Sequence, residues 1–581
     1  MQNSLYYGDN LTVLREHIPD ESVDLIYLDP PFNSNASYNV LFKEKTGEES
    51  AAQFKAFTDT WKWTKDTQWA FEKDIIANPA VPVAVRDMVD AFKKFIGQND
   101  MMAYLVMMAP RLVELRRVLK QTGSLYLHCD PTASHYLKIL MDAVFGKDQF
   151  RNEIVWRRTG SHNQNKRFGP IHDVILFYTK SDNYLFDVQF QPVAKGHVDG
   201  YFRQEDDKGK YWTNALTGAG TRNGESGQPW RGYDPTPHDR HWAVPGNLVA
   251  ELGIDATISQ HEKLEQLYQA GYVDLPTKAS DALPTFRQYL KDLPGSPLQD
   301  LWAYQPYTRG VLYGDERAID EDVRWIPRQG GKERLGYQTQ KPQALLERVI
   351  KASTSQGQMV LDPFCGCGTA IAAAQALGRQ WIGIDITHLA VALMKNRLRT
   401  AFNLEAGKDY TVIGEPVDVG SAQALAEQDR FQFQFWALSL LEAFPREEGK
   451  KGPDGGIDGV LSFIDGKQRT QNKAIVQVKS GHVSAPQIRD LKGVVEREKA
   501  SLGLFITLEE PTSVMQTEAI AAGFFHSELW QKDYPKIQIR TVQQLLTGQG
   551  FELPPQLPSM YQPAQRVRRK QGRQASFGES S

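Results

Sequence analysis

Hydrophobic residues recur along roughly the first 180 positions in two alternating patterns. Short apolar runs such as Val23-Asp24-Leu25-Ile26-Tyr27 read as strands buried on both faces of a parallel sheet. Between them lie stretches with apolar residues at helical spacing. Met101 to Leu119 is one, with Gly123 as its stop, and Ala133 to Phe145 is another. Ser124 to His128 reads as a strand that brings Cys129 and Asp130 to the sheet edge, and Asp173 to Tyr178 as a further strand. The alternation predicts an α/β fold with helices covering both faces. His128 and His172 fall at strand ends, where structural histidines are expected.

The pattern dissolves near residue 181 and returns near 336. The intervening stretch is rich in Gly, Pro, Trp, Tyr and charge, with one clear helix over Ser259 to Ala270. Arg222, Trp230, Arg231, Arg240 and Trp242 interleave cations with aromatics there. That mixture suits either nucleic-acid contact or a small aromatic core. The α/β pattern then resumes with a strand over Gln358 to Leu361, a turn, a helix over Ala370 to Leu377 and a strand over Trp381 to Asp385. Residues 411–430 read as a polar connector. Beyond them a second α/β pattern begins with the helix opened by Phe435 to Leu441. The expected segments are 1–184, 185–335, 336–410, a linker over 411–430, 431–545, and a basic, disordered tail over 546–581.

A chain of 581 residues needs several cores. Its net charge of −3 means that any nucleic-acid surface must be local, at clusters such as Arg157-Arg158, Lys166-Arg167 and Arg566 to Lys570. No apolar run approaches membrane-spanning length, and the first residues do not resemble a signal peptide. Cys129, Cys365 and Cys367 cannot form a disulfide framework, which points to a reducing, cytoplasmic setting.

Two turns carry candidate chemistry. Asp29-Pro30-Pro31-Phe32 follows a buried strand, and its prolines end that strand abruptly. A carboxylate, a proline carbonyl and an aromatic face at such an edge suit a flat ring bearing an amine. Asp362 to Thr369 is a glycine-bearing turn between strand and helix, with Asp385 ending the next strand, where it can accept both hydroxyls of a ribose. The turn lacks the G-x-G-x-x-G order, and a carboxylate at Asp362 suits an ammonium better than a phosphate. Cys365 and Cys367 make a poor metal site without further ligands.

Asp29-Pro30-Pro31-Phe32, Thr339-Gln340-Lys341-Pro342 and Asp362 to Thr369, in this order, resemble the β class of amino-group DNA methyltransferases. The resemblance implies a Rossmann-like fold, S-adenosylmethionine as cofactor, double-stranded DNA as partner and a base flipped from the duplex. It implies that Asp362, Pro363, Phe364, Gly366 and Gly368 line the cofactor's amino-acid end and that Asp385 holds the ribose. Asp9 would lie near the adenosine, and Gln340, Lys341 and Pro342 would close over the methionine. Asp29 and Pro30 would take the hydrogens of an exocyclic amine while Phe32 stacks on the flipped base. Asp rather than Ser at position 29 leans toward adenine N6 over cytosine N4. The segment between the motifs would recognise the target.

In the last third, Gly455-Gly456-Ile457-Asp458-Gly459 and Val476-Gln477-Val478-Lys479 resemble the PD-(D/E)xK nuclease core in its Mrr-type branch. Gln477 and Lys479 share one strand face. Asp458, Gln477 and Glu442 would hold Mg²⁺, with Lys479 orienting a water. The whole reads as a restriction–modification chain. Its alternatives are a methyltransferase whose nuclease-like domain only binds or recruits, and a non-catalytic subunit of a defence assembly. With no G-x-x-x-x-G-K-[ST] loop, any ATP-driven step falls to another restriction or defence subunit.

Overall fold

A computed structural model describes residues 2–31, 62–161, 166–276, 282–326, 333, 335, 339–445, 456–465 and 470–555. The chain forms two compact units. One comprises the residues through Val188, Gln299–Tyr304 and those from Asp322; the other comprises Gln189–Leu298 and Gln305–Glu321.

The first unit holds two main sheets and a two-stranded ribbon of Phe524–Ser527 with Lys532–Pro535. The larger has nine strands: β1 (Ser4–Tyr7), β2 (Val23–Leu28), β3 (Leu119–Cys129), β4 (Phe150–Arg157), β5 (His172–Thr179), β6 (Leu301–Trp302), β7 (Met359–Asp362), β8 (Gln380–Asp385) and β9 (Thr411–Ile413). Their order is β6-β4-β5-β3-β2-β7-β8-β1-β9. All neighbours are parallel except β3 with β5 and β5 with β4. The β2 residues are buried on both faces. Leu25 and Tyr27 pack with Val360 and Trp381 on one side, and Ile26 and Leu28 with Leu361 and Ile382 on the other. Flanking helices include α1 (Asn10–His17), α2 (Asp100–Val118), α3 (Pro131–Phe145), α4 (Gln343–Ser353), α5 (Thr369–Ala376) and α6 (His388–Phe402). Gly123 lies inside β3 rather than stopping α2, and a Cβ there would come within 2.6 Å of Leu119 Cδ1. Among the described residues no helix is long and apolar enough to cross a membrane.

Three segments differ from the expectation. The stretch between the halves is not one insertion, because β6 pairs with β4 and Val323 sits in the first unit's core. Residues 411–430 are not a linker. They supply edge strand β9 and helix α7 (Val419–Gln428), which buries Ala422, Leu425 and Ala426 in the same core as Phe433 and Trp436. Alanines carry little hydrophobic signal, and β9 pairs with a strand at the far end of the sequence. The expected tail is ordered through Pro555. Phe551 and Leu553 pack on that core, and Gln538 and Glu552 exchange hydrogen bonds of 2.8 Å. The rest of it lies outside the described residues.

The smaller sheet runs β10 (Phe444–Pro445), β11 (Gly459–Asp465), β12 (Thr470–Lys479), β13 (Leu502–Thr507) and β14 (Ile537–Thr541), in that order. Helix α8 (Arg430–Ser439) follows α7 directly.

The second unit is built on a four-stranded sheet and a small aromatic core. Trp230 and Trp242 meet edge to face at 5.9 Å, both buried. Arg231 pairs with Glu265 and stacks on Tyr268, while Arg240 donates to Thr217 Oγ1. These four side chains are therefore committed to the unit's own packing.

The two accounts of 411–430 make opposite predictions for Leu425→Ala. As a buried helix position it should cost about 2 kcal/mol or more in chemical denaturation. An exposed connector position would change stability by less than about 0.5 kcal/mol.

Candidate active site

The site lies at the carboxyl edge of the nine-stranded sheet. β2 and β7 are neighbours, with Ile26 opposite Leu361, and β8 lies beside β7, with Gly383 opposite Asp362. This brings Asp29, Asp362 and Asp385 together at the ends of three adjacent parallel strands, where open α/β sheets bind ligands. The two sequence-distant motifs thus form one edge.

Asp29 is held from the other half of the chain. Lys341 Nζ donates to its Oδ2, and both side chains are mostly buried. Lys341 therefore reaches the turn that bears Asp29, although its motif was expected at the cofactor. Gln340 instead closes its own segment, accepting from Leu335 N at 2.7 Å and donating to Glu333 O at 2.7 Å. Pro342 precedes α4 as its N-cap. Pro30 is buried and Pro31 partly so, while Phe32 lies outside the described residues.

Asp362 is buried and accepts a hydrogen bond from Phe364 N at 3.1 Å. Burial pushes its carboxyl well above the usual carboxylate range. Asp29 and Asp385 add to that rise, whereas the Phe364 amide and Lys341 oppose it. A buried carboxylate in this position is stabilised by a cationic ligand, so the donor set fits the ammonium of S-adenosylmethionine. Asp385 accepts from Gly366 N at 2.8 Å and from Thr387 N and Oγ1, both at 2.9 Å. Burial raises it too. Gly366 and Gly368 both have positive φ, and a Cβ on Gly368 would lie 2.2 Å from Met394 Cγ. Pro363 O accepts from Asn10 Nδ2 at 2.8 Å.

Asp9 caps α1 through Leu11 N (2.8 Å) and Thr12 N (3.3 Å), and pairs with Arg111 at 2.6 Å. Its neighbour Gly8 donates to Asp385 O at 3.0 Å, which sets the β1 turn beside Asp385. Two buried arginines escaped the sequence reading. Arg111 links Asp9 and Asn10, and Arg397 reaches Cys367 O, Thr369 Oγ1 and Gln343 Oε1. For Arg111, the first cation in an otherwise apolar helical stretch, the sequence offered a signal; Arg397, between Lys395 and Arg399, offered none. Burial pushes the Cys365 and Cys367 thiols up, away from the thiolate form that binds metal. His128 is fully buried between Tyr27 OH (2.7 Å) and Asp173 Oδ2 (3.2 Å).

The smaller sheet gathers a second set. Asp458 donates its backbone N–H to Val476 O at 3.0 Å, and its Oδ2 accepts from Val478 N at 2.7 Å. Lys479 Nζ lies 4.0 Å from the same oxygen. Gln477 is buried and donates its amide to Gly456 O. Glu442 does not join them. The helix ends at Ser439, and Glu442 sits in the following turn at φ 56°, where both its oxygens accept from Arg399. Its register, two residues before the Phe444–Val460 pair, carries it away from Asp458 along β11. Among the described residues no group of three or more His, Cys, Asp or Glu side chains is placed to hold a metal.

Folded protein retains the Asp362 proton to a higher pH than the unfolded chain does. Ionising it therefore costs stability that grows as pH rises above about 4, the ordinary carboxyl value. Asp362→Asn should melt higher than the wild type at pH 8 without cofactor, and the gap should shrink toward pH 4. The same variant should weaken S-adenosylmethionine binding roughly tenfold or more by calorimetry.

A family model described as DNA methylase matches residues 23–396, and one described as restriction endonuclease matches residues 425–533. Type II methyltransferase M.EcaI of Enterobacter cloacae is 28% identical over 298 residues, covering 51% of this chain and 57% of its own. The StyLTI Mod subunit of a type III restriction-modification enzyme from Salmonella typhimurium is 27% identical over 395 residues, covering 65% and 50%. DNA adenine methyltransferase YhdJ of Escherichia coli is 24% identical over 405 residues, covering 69% and 85%. The chain spans 57% and 50% of the length of the first two relatives. The methylase match takes in more than half of the chain and contains both Asp29 and Asp362, so the chain belongs to the N6/N4 DNA methylase family, with a restriction-endonuclease-like domain following.

Proposed function

We propose that this chain is a site-specific DNA methyltransferase that modifies adenine N6 and carries a second, Mg²⁺-dependent DNA-cleaving site. The observation that carries the reading is the juxtaposition of Asp29 with Asp362 at the ends of paired strands β2 and β7. Adenine is supported by Asp at position 29 and by a relative named as a DNA adenine methyltransferase.

When bound, S-adenosylmethionine supplies an electrophilic methyl group. The chain's own residues supply position. Asp362 neutralises the ligand's ammonium, and Asp385 takes the ribose hydroxyls. Asp29 and the Pro30 carbonyl accept the two N–H bonds of the target amine, which turns the nitrogen lone pair out of the ring's conjugation and toward the methyl carbon. S-adenosylmethionine held by Asp362 and Asp385 would supply the methyl group to that nitrogen and depart as the neutral thioether, and Asp29 would take the surplus amine proton along its hydrogen bond. Positioning of this kind accelerates transfer without a covalent enzyme intermediate. Lys341 donates to Asp29 Oδ2, leaving Oδ1 for the amine.

In the second site, Asp458 and the Gln477 amide oxygen offer two ligands, sufficient for a Mg²⁺ that keeps several waters. Lys479 faces the same position. Partners would be double-stranded DNA and, as type III Mod relatives suggest, other restriction subunits. A second reading, in which the nuclease-like domain only docks or binds, draws on Glu442 being held by Arg399.

Labelled S-adenosylmethionine and unmethylated DNA, with and without Mg²⁺, separate these readings. The proposal expects N6-methyladenine in the DNA digest and Mg²⁺-dependent strand breaks. Asp29→Ala should lower methyl transfer at least about a hundredfold while keeping breaks, and Asp458→Ala should do the reverse. Methylation without breaks under every condition supports the docking reading. A digest containing only 4-methylcytosine contradicts the adenine assignment.

A further inference from the structure

The β4–β5 connection carries a surface that the site so far leaves unused. β3 is parallel to β2, β5 antiparallel to β3, and β4 antiparallel to β5. The end of β4 and the start of β5 therefore lie on the same sheet edge as Asp29, three and two strand spacings away, roughly 14 and 10 Å. The base of the connection is fixed. Arg158 N donates to Ile171 O at 3.0 Å, and the Arg158 guanidinium pairs with Asp173 at 3.1 Å. Arg157 donates to Tyr304 O at 3.0 Å.

Farther out, Lys166 and Arg167 are exposed, and neither has a hydrogen-bond or ion-pair partner among the described residues. Phe168, next in the chain, is 101% exposed, so its ring covers no part of the protein. A single exposed apolar residue is ordinary on a protein surface. Here it adjoins two cations without a partner among the described residues, on the edge that holds the Asp29 turn. Polyanionic, stacked duplex DNA matches both features: phosphates for the cations and a base step for the ring.

We propose that Lys166-Arg167-Phe168 is a duplex-DNA contact in which the two cations sit on phosphates and Phe168 wedges into the base stack beside the flipped target. This rests on the methyltransferase reading for its second half only, since phosphate binding requires no chemistry. Base unstacking costs a few kcal/mol, and a wedge that occupies the vacated space repays part of it.

Two measurements on the full chain test the proposal. The first is the salt dependence of binding to a non-specific duplex. Removing both cations in K166A/R167A should flatten the slope of log Kobs against log salt by about 1.8, that is, about 0.9 per phosphate contact, and Phe168→Ala should leave the slope unchanged. An unchanged slope in the double variant overturns the phosphate contacts. The second uses the methylated site, located by sequencing modified DNA, in two duplexes that differ only in pairing at the target base. Phe168→Ala should lower kcat/KM roughly tenfold or more on the paired duplex and at most about twofold on the mismatched one, where unstacking is cheap. Phe168→Trp should restore the paired duplex. Equal losses on both duplexes, or no loss on either, overturn the wedge. A wild-type chain that methylates no DNA contradicts the methyltransferase reading and the wedge with it, while the salt slope still decides the phosphate contact.

Discussion

The pairing of β2 with β7 is the constraint on which the rest of this molecule depends. Leu25 lies opposite Val360 and Ile26 opposite Leu361, joining segments more than 300 residues apart in sequence. Asp24 reinforces the seam, accepting from Met359 N at 2.9 Å and from Lys120 at 2.8 Å. Without this parallel pair the turn bearing Asp29 and the turn bearing Asp362 would be two ordinary strand ends. With it they become opposite walls of one edge. Strand β1, from the start of the chain, fits between β8 and β9, so the cofactor half is completed by the first residues of the sequence.

Electrostatics then give that edge its character. Three carboxylates converge, two of them buried, and burial works against their charge. Lys341 reaches one of them, and amides from Phe364, Gly366 and Thr387 satisfy oxygens on the others. Such a cluster is unfavourable alone and favourable around a cation, as expected of functional sites that store part of their binding energy as desolvation.

Much of this was legible because central parallel strands are continuous apolar runs. Val23 to Tyr27, Asp173 to Tyr178 and Trp381 to Asp385 each fall within the observed strands. The motif order also told which strand ends must meet. Illegible were elements whose stability is wholly tertiary. Leu301-Trp302 is too short to show a period, and α7 buries mainly alanines. Glu442 was misassigned because the apolar run before it reads as helix, whereas the helix stops at Ser439 and the chain turns through positive φ. The Lys341–Asp29 contact left no mark in either local pattern, since each residue sits in a different half.

The nuclease-like sheet is tied to the larger sheet by polar contacts from helix α6. Gln432 of α8 accepts from His388 N at 3.2 Å, and Arg399 of α6 grips Glu442. Whatever the second site does, helix α8 is seated on α6, the helix that follows β8. The central claim remains the single edge shared by β2 and β7. It is tested most directly by a crystal structure of the chain with an S-adenosylmethionine analogue in which an amine replaces the methyl group. The account predicts the analogue's ammonium on Asp362, its ribose on Asp385 and the replacing amine directed at Asp29. An analogue seated with that amine facing away from Asp29, or bound at a different strand edge, would contradict it.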